Sequence, residues 1–142
     1  MLPAGIIDTG AIIAIAEFDD AWHSACLDAL CSVHIPLLTT EAALTEVFHL
    51  VGRTYHDKEK AWRFVNSGAL SIRPMTDSDL PDLRRLMAQY NDRPLDFADA
   101  TLVHLATREA ISLIVTVDFD DFETYRIGGN KRFTILPDRN SQ

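Results

Sequence analysis

Ala4-Gly5-Ile6-Ile7-Asp8-Thr9-Gly10-Ala11-Ile12-Ile13-Ala14-Ile15-Ala16 is an apolar stretch broken only at Asp8-Thr9-Gly10. The run before the break is strand-length and the run after it is helix-length, so the segment reads as strand, turn and helix. Asp8 then stands at the carboxyl end of a buried strand. The same arrangement returns at Ser112 to Val117, a β-branched apolar run that ends on Asp118.

Between these segments, short apolar runs alternate with helical patterns. Asp19 or Asp20 is positioned to cap a helix to about Ser32, with Trp22, Ala25, Cys26, Ala29 and Leu30 at helical spacing. After Ile35-Pro36-Leu37-Leu38, Thr39-Thr40 supplies a cap for a helix with the stripe Leu44, Val47, Phe48 and Val51. Glu46 lies off that stripe, in line with Ala43 and Leu50. A helix is expected over Asp57 to Asn66 and a brief strand over Ala69 to Ile72. Another helix starts at Thr76 or Asp77 and runs through Leu80, Leu83, Leu86 and Met87.

Asn91-Asp92-Arg93-Pro94 is a breaker, after which Leu95-Asp96-Phe97-Ala98-Asp99-Ala100 leads into a helix carrying Leu102, Leu105 and Ala106. Phe133-Thr134-Ile135-Leu136 reads as a last strand before Pro137. Strands separated by helices indicate an α/β fold with a mostly parallel sheet. Right-handed crossovers bring the carboxyl ends of such strands to one edge, where open α/β sheets bind ligands. Asp8 and Asp118 would share that edge.

A chain of 142 residues, nearly half of them apolar, suits a single domain over 1–142 with one core. No apolar stretch reaches the roughly 18 residues of a membrane span, and no basic region followed by an apolar one marks a secretory leader. The expectation is therefore a cytoplasmic protein without membrane contact. Cys26 and Cys31 have neither zinc-site nor disulfide spacing and read as small core or boundary side chains.

The net charge of −8 argues against a broad basic face for nucleic acid. Four of the acids, however, are dispersed at element ends: Asp8, Glu46, Asp99 and Asp118. If the fold gathers them, they form an oxygen-lined pocket for a hard divalent cation, which would place positive charge where a phosphate binds. Each acid also has a plain alternative. Asp8 could make an Asx turn, Glu46 could lie on a solvated helix face, Asp96 and Asp99 could cap a helix, and Asp118 with Asp120 and Asp121 could form a solvated loop.

The joint pattern carries the argument. Three or four gathered carboxylates without a lysine repel one another unless a cation neutralises them. Mg²⁺ or Mn²⁺ would do so, polarising a phosphate and lowering the pKa of a water, as a phosphodiesterase requires. No Gly-x-Ser-x-Gly elbow, Walker loop or Gly-x-Gly-x-x-Gly fingerprint is present. His23, His34, His49, His56 and His104 make no His-Glu-x-x-His pair, which disfavours a zinc hydrolase. His23 could border the site or lie on a helix surface. Arg53, Lys58, Lys60 and Arg63 could guide phosphates or form a solvated face, since Asp57 and Glu59 interrupt them.

Asp8-Thr9-Gly10-Ala11, Thr45-Glu46-Val47, Leu95-Asp96-Phe97-Ala98-Asp99-Ala100 and Thr116-Val117-Asp118 followed by Phe122 resemble, in this order and within this length, the PIN-domain ribonucleases. Within them the chain is most similar to the VapC toxins of bacterial toxin–antitoxin pairs. The resemblance covers essentially the whole chain. It implies a three-layer α/β/α domain in which Asp8, Glu46, Asp99 and Asp118 are both catalytic residues and ligands of one or two Mg²⁺ or Mn²⁺ ions. Asp96 and Asp121 match positions that are acidic in many members. Many members carry Ser or Thr two positions after the first Asp; here Gly10 stands in that place, with Thr9 beside it as the auxiliary hydroxyl. The resemblance further implies a homodimer and a small antitoxin that inserts a basic segment into the acidic groove.

The expected function is thus a Mg²⁺-dependent endoribonuclease, the toxin of such a pair, acting on single-stranded or looped RNA through an activated water to leave a 5′-phosphate and a 3′-hydroxyl. One rival is a catalytically silent PIN-fold binding module. The other is an aspartate-dependent phosphatase, which would want a second Asp where Gly10 stands.

Overall fold

The computed structural model describes residues 1–93 and 95–142; Pro94, the last residue of the expected breaker, lies outside them. In chain order the elements are β1 (Gly5–Ile7), α1 (Thr9–Ala16), α2 (His23–Cys31), β2 (Leu37–Thr39), α3 (Glu41–Leu50), α4 (Tyr55–Val65) and β3 (Leu70–Ile72). A 3₁₀ turn over Asp77–Asp79 leads into α5 (Leu80–Gln89). There follow α6 (Phe97–Glu109), β4 (Leu113–Val115), α7 (Phe119–Thr124), β5 (Arg126–Ile127), β6 (Lys131–Arg132) and β7 (Thr134–Leu136).

Five strands form one sheet in the order β3-β2-β1-β4-β7, and every neighbouring pair is parallel. Among the described residues antiparallel pairing is confined to the separate β5–β6 hairpin. The central strands β1 and β4 are apolar throughout because each sheet face meets its own helical layer. Ile6, Leu38 and Ile114 enter a core with residues of α5 and α6, whereas Ile7, Leu37, Leu113 and Val115 enter another with residues of α1, α2 and α4. The result is the expected three-layer α/β/α arrangement. Helix α3 serves both cores, Ala43 in the first and Val47, with the cap residue Val51, in the second.

From β1 the chain adds strands to one side, β2 then β3, and afterwards to the other, β4 then β7. The order therefore reverses between β1 and β4, where open parallel sheets have a crevice at their carboxyl ends. Ile7 pairs with Val115, so Asp8 and Thr116 leave the sheet side by side.

Several element boundaries differ from expectation for local reasons. Helix α2 starts at His23, and its cap position Trp22 makes no side-chain bond; Asp20 Oδ1 instead accepts from Trp22 N at 2.8 Å, shaping the turn ahead. Helix α4 starts at Tyr55, before Asp57, because Thr54 and Asp57 form a reciprocal capping box. Thr76 and Asp77 open the 3₁₀ turn, and the α-helix proper begins at Leu80 with Pro81 in its first turn. The acidic run after Asp118 is helical rather than a loop, and the β5–β6 hairpin is an element without an apolar signature.

Cys26 is buried, and burial together with the Asp20 charge pushes its thiol up to about 12; Cys31 is exposed. Among the described residues no helix is long and apolar enough to cross a membrane.

Candidate metal centre

Three helix N-termini are tied together above the β1–β4 crevice. Asp8 is the N-cap of α1 and accepts from Thr9 N at 2.7 Å, while Thr9 Oγ1 donates to Ala43 O of α3 at 3.1 Å. Thr101 of α6 donates its hydroxyl to Ala98 O at 2.6 Å, so the 2.8 Å contact with Thr40 Oγ1 is a bond donated by Thr40. Thr40 in turn caps α3, accepting from Ala43 N at 3.3 Å. These bonds hold α1, α3 and α6 with their positive dipole ends at the same edge.

The carboxylates converge there. Asp99 in the first turn of α6, Asp118 after β4 and Asp121 on α7 each offer an oxygen, and the three oxygens lie within 4.8 Å of one another. Asp8 stands behind them, only 4% exposed. Thr116 links the strands at this point: its hydroxyl accepts from Asp118 N at 2.9 Å and so directs its own proton to Asp8 Oδ2 at 3.0 Å. Tyr125 O–H donates to Asp99 Oδ2 at 3.2 Å, and Arg93 Nη2 donates to Asp121 Oδ1 at 2.9 Å.

Burial and like charge raise the acid pKa values in this group. Burial, with smaller contributions from Asp118 and Glu46, lifts Asp8 to about 7 despite its bonds from Thr9 and Thr116. Burial, then the charges of Asp8 and Asp96, lift Asp99 to about 8. Asp118 is raised by desolvation and by Asp121, Asp96 and Asp120, with Arg93 pulling it back. Glu46 is raised by desolvation, Asp96 and Asp118. Tyr125 is also pushed up, by burial and by Asp99 and Asp121, so it remains a neutral donor. These oxygens are short of positive charge, and a hard cation with oxygen ligands fits that donor set.

Glu46 lies on α3 at the rim, within range of the charges of Asp96 and Asp118 but outside the closest trio. It lines a groove of about 460 Å³ with Glu41, Thr45, Asp96 and the half-exposed Phe97. Asp96 is exposed and caps its own helix, accepting from Asp99 N at 3.1 Å, the plainer of its two readings. Thr9 does not give its hydroxyl to the acids; Thr116 fills that role. Gly10 is tight against the β4 exit: a Cβ there would lie 2.9 Å from Val117 Cγ2, so the Ser or Thr of the family pattern would require the Val117 side chain to shift.

His23 Nδ1 donates to Ala14 O at 2.7 Å, joining α2 to α1. Lys60 bonds Glu17 at 3.2 Å and Lys58 donates to Gly52 O at 2.8 Å, so these two α4 cations are engaged structurally. Arg93, Thr116 and Tyr125 are the contacts that the sequence reading did not assign. Thr116 stood inside a quoted motif, but only the strand register gives its hydroxyl a partner.

A different buried acid, Asp79, lies beside a cavity of about 570 Å³ that His104, Arg108, Arg85 and Arg126 also line. Asp79 Oδ1 accepts from His104 Nε2 at 2.8 Å and Oδ2 accepts from Arg108 Nη1 at 3.2 Å. The larger cavity thus sits over a paired acid, and Asp8, Asp99 and Asp118, which form no ion pair among the described residues, lie elsewhere.

The chain matches the PIN domain family over residues 6–127. It is 30% identical over 134 residues to Ribonuclease VapC26 of Mycobacterium tuberculosis (strain ATCC 25618 / H37Rv), covering 93% of this chain and 99% of that protein. Its structure is similar to the crystal structure of Mycobacterium tuberculosis VapC20, a Sarcin-Ricin loop cleaving toxin, with a TM-score of 0.72 at 19% identity over 83% of this chain and 94% of that one. It is also similar to a chain of FitAB bound to an IR36 DNA fragment, with a TM-score of 0.58 at 12% identity over 83% of this chain and 87% of that one. At these identities the two structural likenesses concern the fold.

Proposed function

Because this chain belongs to the PIN domain family, we propose that it is an endoribonuclease dependent on Mg²⁺ or Mn²⁺, and the toxin of a toxin–antitoxin pair. The observation that carries the reading is the convergence of Asp99, Asp118 and Asp121 within 4.8 Å, backed by Asp8, at the reversal point of the sheet. Asp8, Asp99 and Asp118 would hold the ion, with Asp121 beside them and Glu46 reaching it from the rim. When bound, the ion supplies Lewis-acid polarisation of a phosphate oxygen and a water of lowered pKa.

The chain's own groups prepare that site. Thr116 fixes Asp8 and the Asp118 backbone in one geometry, and Tyr125 holds Asp99 by one oxygen. The groove bordered by Glu46 and Asp96 adjoins the acids through Asp96, which accepts from Asp99 N, and the exposed ring of Phe97 offers a face on which an unpaired base can stack. Attack in line by an activated water would leave a 5′-phosphate and a 3′-hydroxyl.

The likeness to Ribonuclease VapC26 and to the toxin VapC20 supports the toxin reading. On it the chain acts in the cytoplasm as a single domain over 1–142 and as a homodimer. A small antitoxin inserts a basic segment into the acidic groove, where charge complementarity favours it.

The test is cleavage of a mixed single-stranded RNA pool by purified protein with Mg²⁺ or Mn²⁺, with EDTA, and as Asp99→Asn. Cleavage is expected only with metal and the unaltered chain. Cleavage that survives EDTA rejects the metal mechanism. Equal cleavage by Asp99→Asn places the activity outside these acids, and no cleavage under any condition favours a binding module.

A further inference from the structure

The Tyr90–Arg93 turn delivers one cation to the acidic group. Arg93 N donates to Tyr90 O at 3.0 Å, closing a turn at the end of α5. Tyr90 is anchored in its own right: its hydroxyl accepts from Arg126 N at 2.9 Å, and its ring meets Tyr125 edge-on with centroids 5.3 Å apart. Tyr125 is the donor to Asp99. Arg93 is thereby held at the mouth of the cluster, bonded to Asp121, whose oxygen belongs to the candidate metal trio.

That placement is unusual for an ion pair serving stability alone. The pair is substantially exposed, with 42% of the Arg93 side chain and 34% of the Asp121 side chain accessible, and exposed pairs contribute little. It also occupies a carboxylate that a divalent ion would use. A guanidinium keeps further N–H donors when one nitrogen is engaged, and its planar fork suits phosphate oxygens. We propose that Arg93 is a phosphate ligand of the RNA substrate, held on Asp121 until a divalent cation claims that carboxylate. This rests on the nuclease reading above and adds a substrate contact to it.

Two readouts on the full chain test the proposal: calorimetric titration with Mn²⁺ alone, and steady-state cleavage of a single-stranded RNA oligonucleotide. Arg93→Ala is expected to bind Mn²⁺ about two- to fivefold more tightly, because the competing cation is gone. Its KM for RNA is expected to rise roughly tenfold or more with the loss of a charge-assisted bond. Arg93→Lys, which keeps the charge but not the fork, should recover part of the KM. Unchanged or weaker Mn²⁺ binding by Arg93→Ala overturns the proposal. So does an unchanged KM when the unaltered chain cleaves, and in both cases the nuclease reading stands. Failure of the unaltered chain to cleave any RNA rejects the nuclease reading and this proposal together.

Discussion

Asp99 and Asp79 are both acids drawn into the protein near a helix start, yet their surroundings leave them in opposite states. Asp79 accepts from Thr76 N at 2.8 Å, Thr76 Oγ1 at 3.2 Å, His104 Nε2 at 2.8 Å and Arg108 Nη1 at 3.2 Å. The Thr76 backbone N–H first, then His104, hold its carboxyl far below the ordinary range. Asp99 accepts from Tyr125 on one oxygen and faces Asp8, Asp96 and Asp118, so its carboxyl is raised to about 8. What singles out a functional acid here is therefore the missing counter-charge rather than burial. A paired acid completes the protein, whereas an unpaired group needs a cation from outside.

The largest expected effect tests that division directly. Asp99→Asn should lower cleavage by more than the about 10–100-fold that losing a group behind a metal ligand costs. Its metal-free melting temperature at pH 8 should be equal to or above that of the parent, since a repelling charge is gone. Asp79→Asn should do the reverse, melting lower because His104 and Arg108 lose their carboxylate while RNA cleavage at 25 °C persists. Calorimetric melting and a cleavage assay on both variants check this. Abolished cleavage with unchanged melting for Asp79→Asn would erase the contrast between the two acids.

Proton linkage supplies the next test. Asp8 and Asp99 titrate at about 7 and about 8 in the folded chain against an ordinary value of 3.8. The native state therefore holds protons that the unfolded chain has already released. Their contribution is fully present below the ordinary value and is lost as pH rises through about 7 to 8. Asp79 works in the opposite sense: its contribution is present above the ordinary carboxylate range and lost only when pH falls below it. Between pH 5 and pH 8.5 the metal-free melting temperature is expected to fall, as the cluster loses its protons. Mn²⁺ held at one concentration throughout, a hundred times its dissociation constant at pH 7, should add about 2.7 kcal/mol at that pH. For a domain of this size that is roughly 5–10 °C. The increment should grow with pH in the parent and flatten in Asp99→Asn. A metal increment independent of pH would show that the ion does not displace those protons.

The two regions also differ in how far the sequence disclosed them. Asp8 and Asp118 were legible because each ends an apolar run, and a parallel sheet places such ends together. Asp96 and Asp99 were legible from their spacing at a helix start. Asp121 looked like one acid in a solvated run, because nothing in Asp118-Phe119-Asp120-Asp121 announces the short α7 that turns it inward. Arg93 lay in a segment read only as a breaker. Thr9 was given the hydroxyl role because it is next to Asp8, but its side chain is committed to Ala43, and β-pairing brings Thr116 from 108 positions away. The Asp79–His104 pair, 25 positions apart across two helices, left no local pattern at all. Periodicity thus reveals where backbone elements end, while partners supplied by tertiary packing stay hidden.

The smallest test compares single hydroxyls in the two regions. Thr116 is fully buried, and its Oγ1 serves both Asp118 N and Asp8 Oδ2. Thr116→Val preserves volume but leaves that N–H and that oxygen without their partner, so Asp8 should hold its proton more tightly. A metal must then displace a more firmly bound proton, and Mn²⁺ affinity at pH 7 is expected to fall about tenfold, the low end for groups behind a metal ligand. Stability without metal should also fall, by about 1 kcal/mol, because the Asp118 N–H loses its buried partner. Thr76→Val removes one bond among four at Asp79, which stays ionised through His104, Arg108 and the Thr76 backbone. The expected cost is about 1 kcal/mol, that of losing a helix cap, with Mn²⁺ affinity unaltered. Calorimetric Mn²⁺ titration of the two variants separates the regions: a loss of affinity shared equally by both would mean that the acids act as one coupled network instead of a satisfied group and an unsatisfied one.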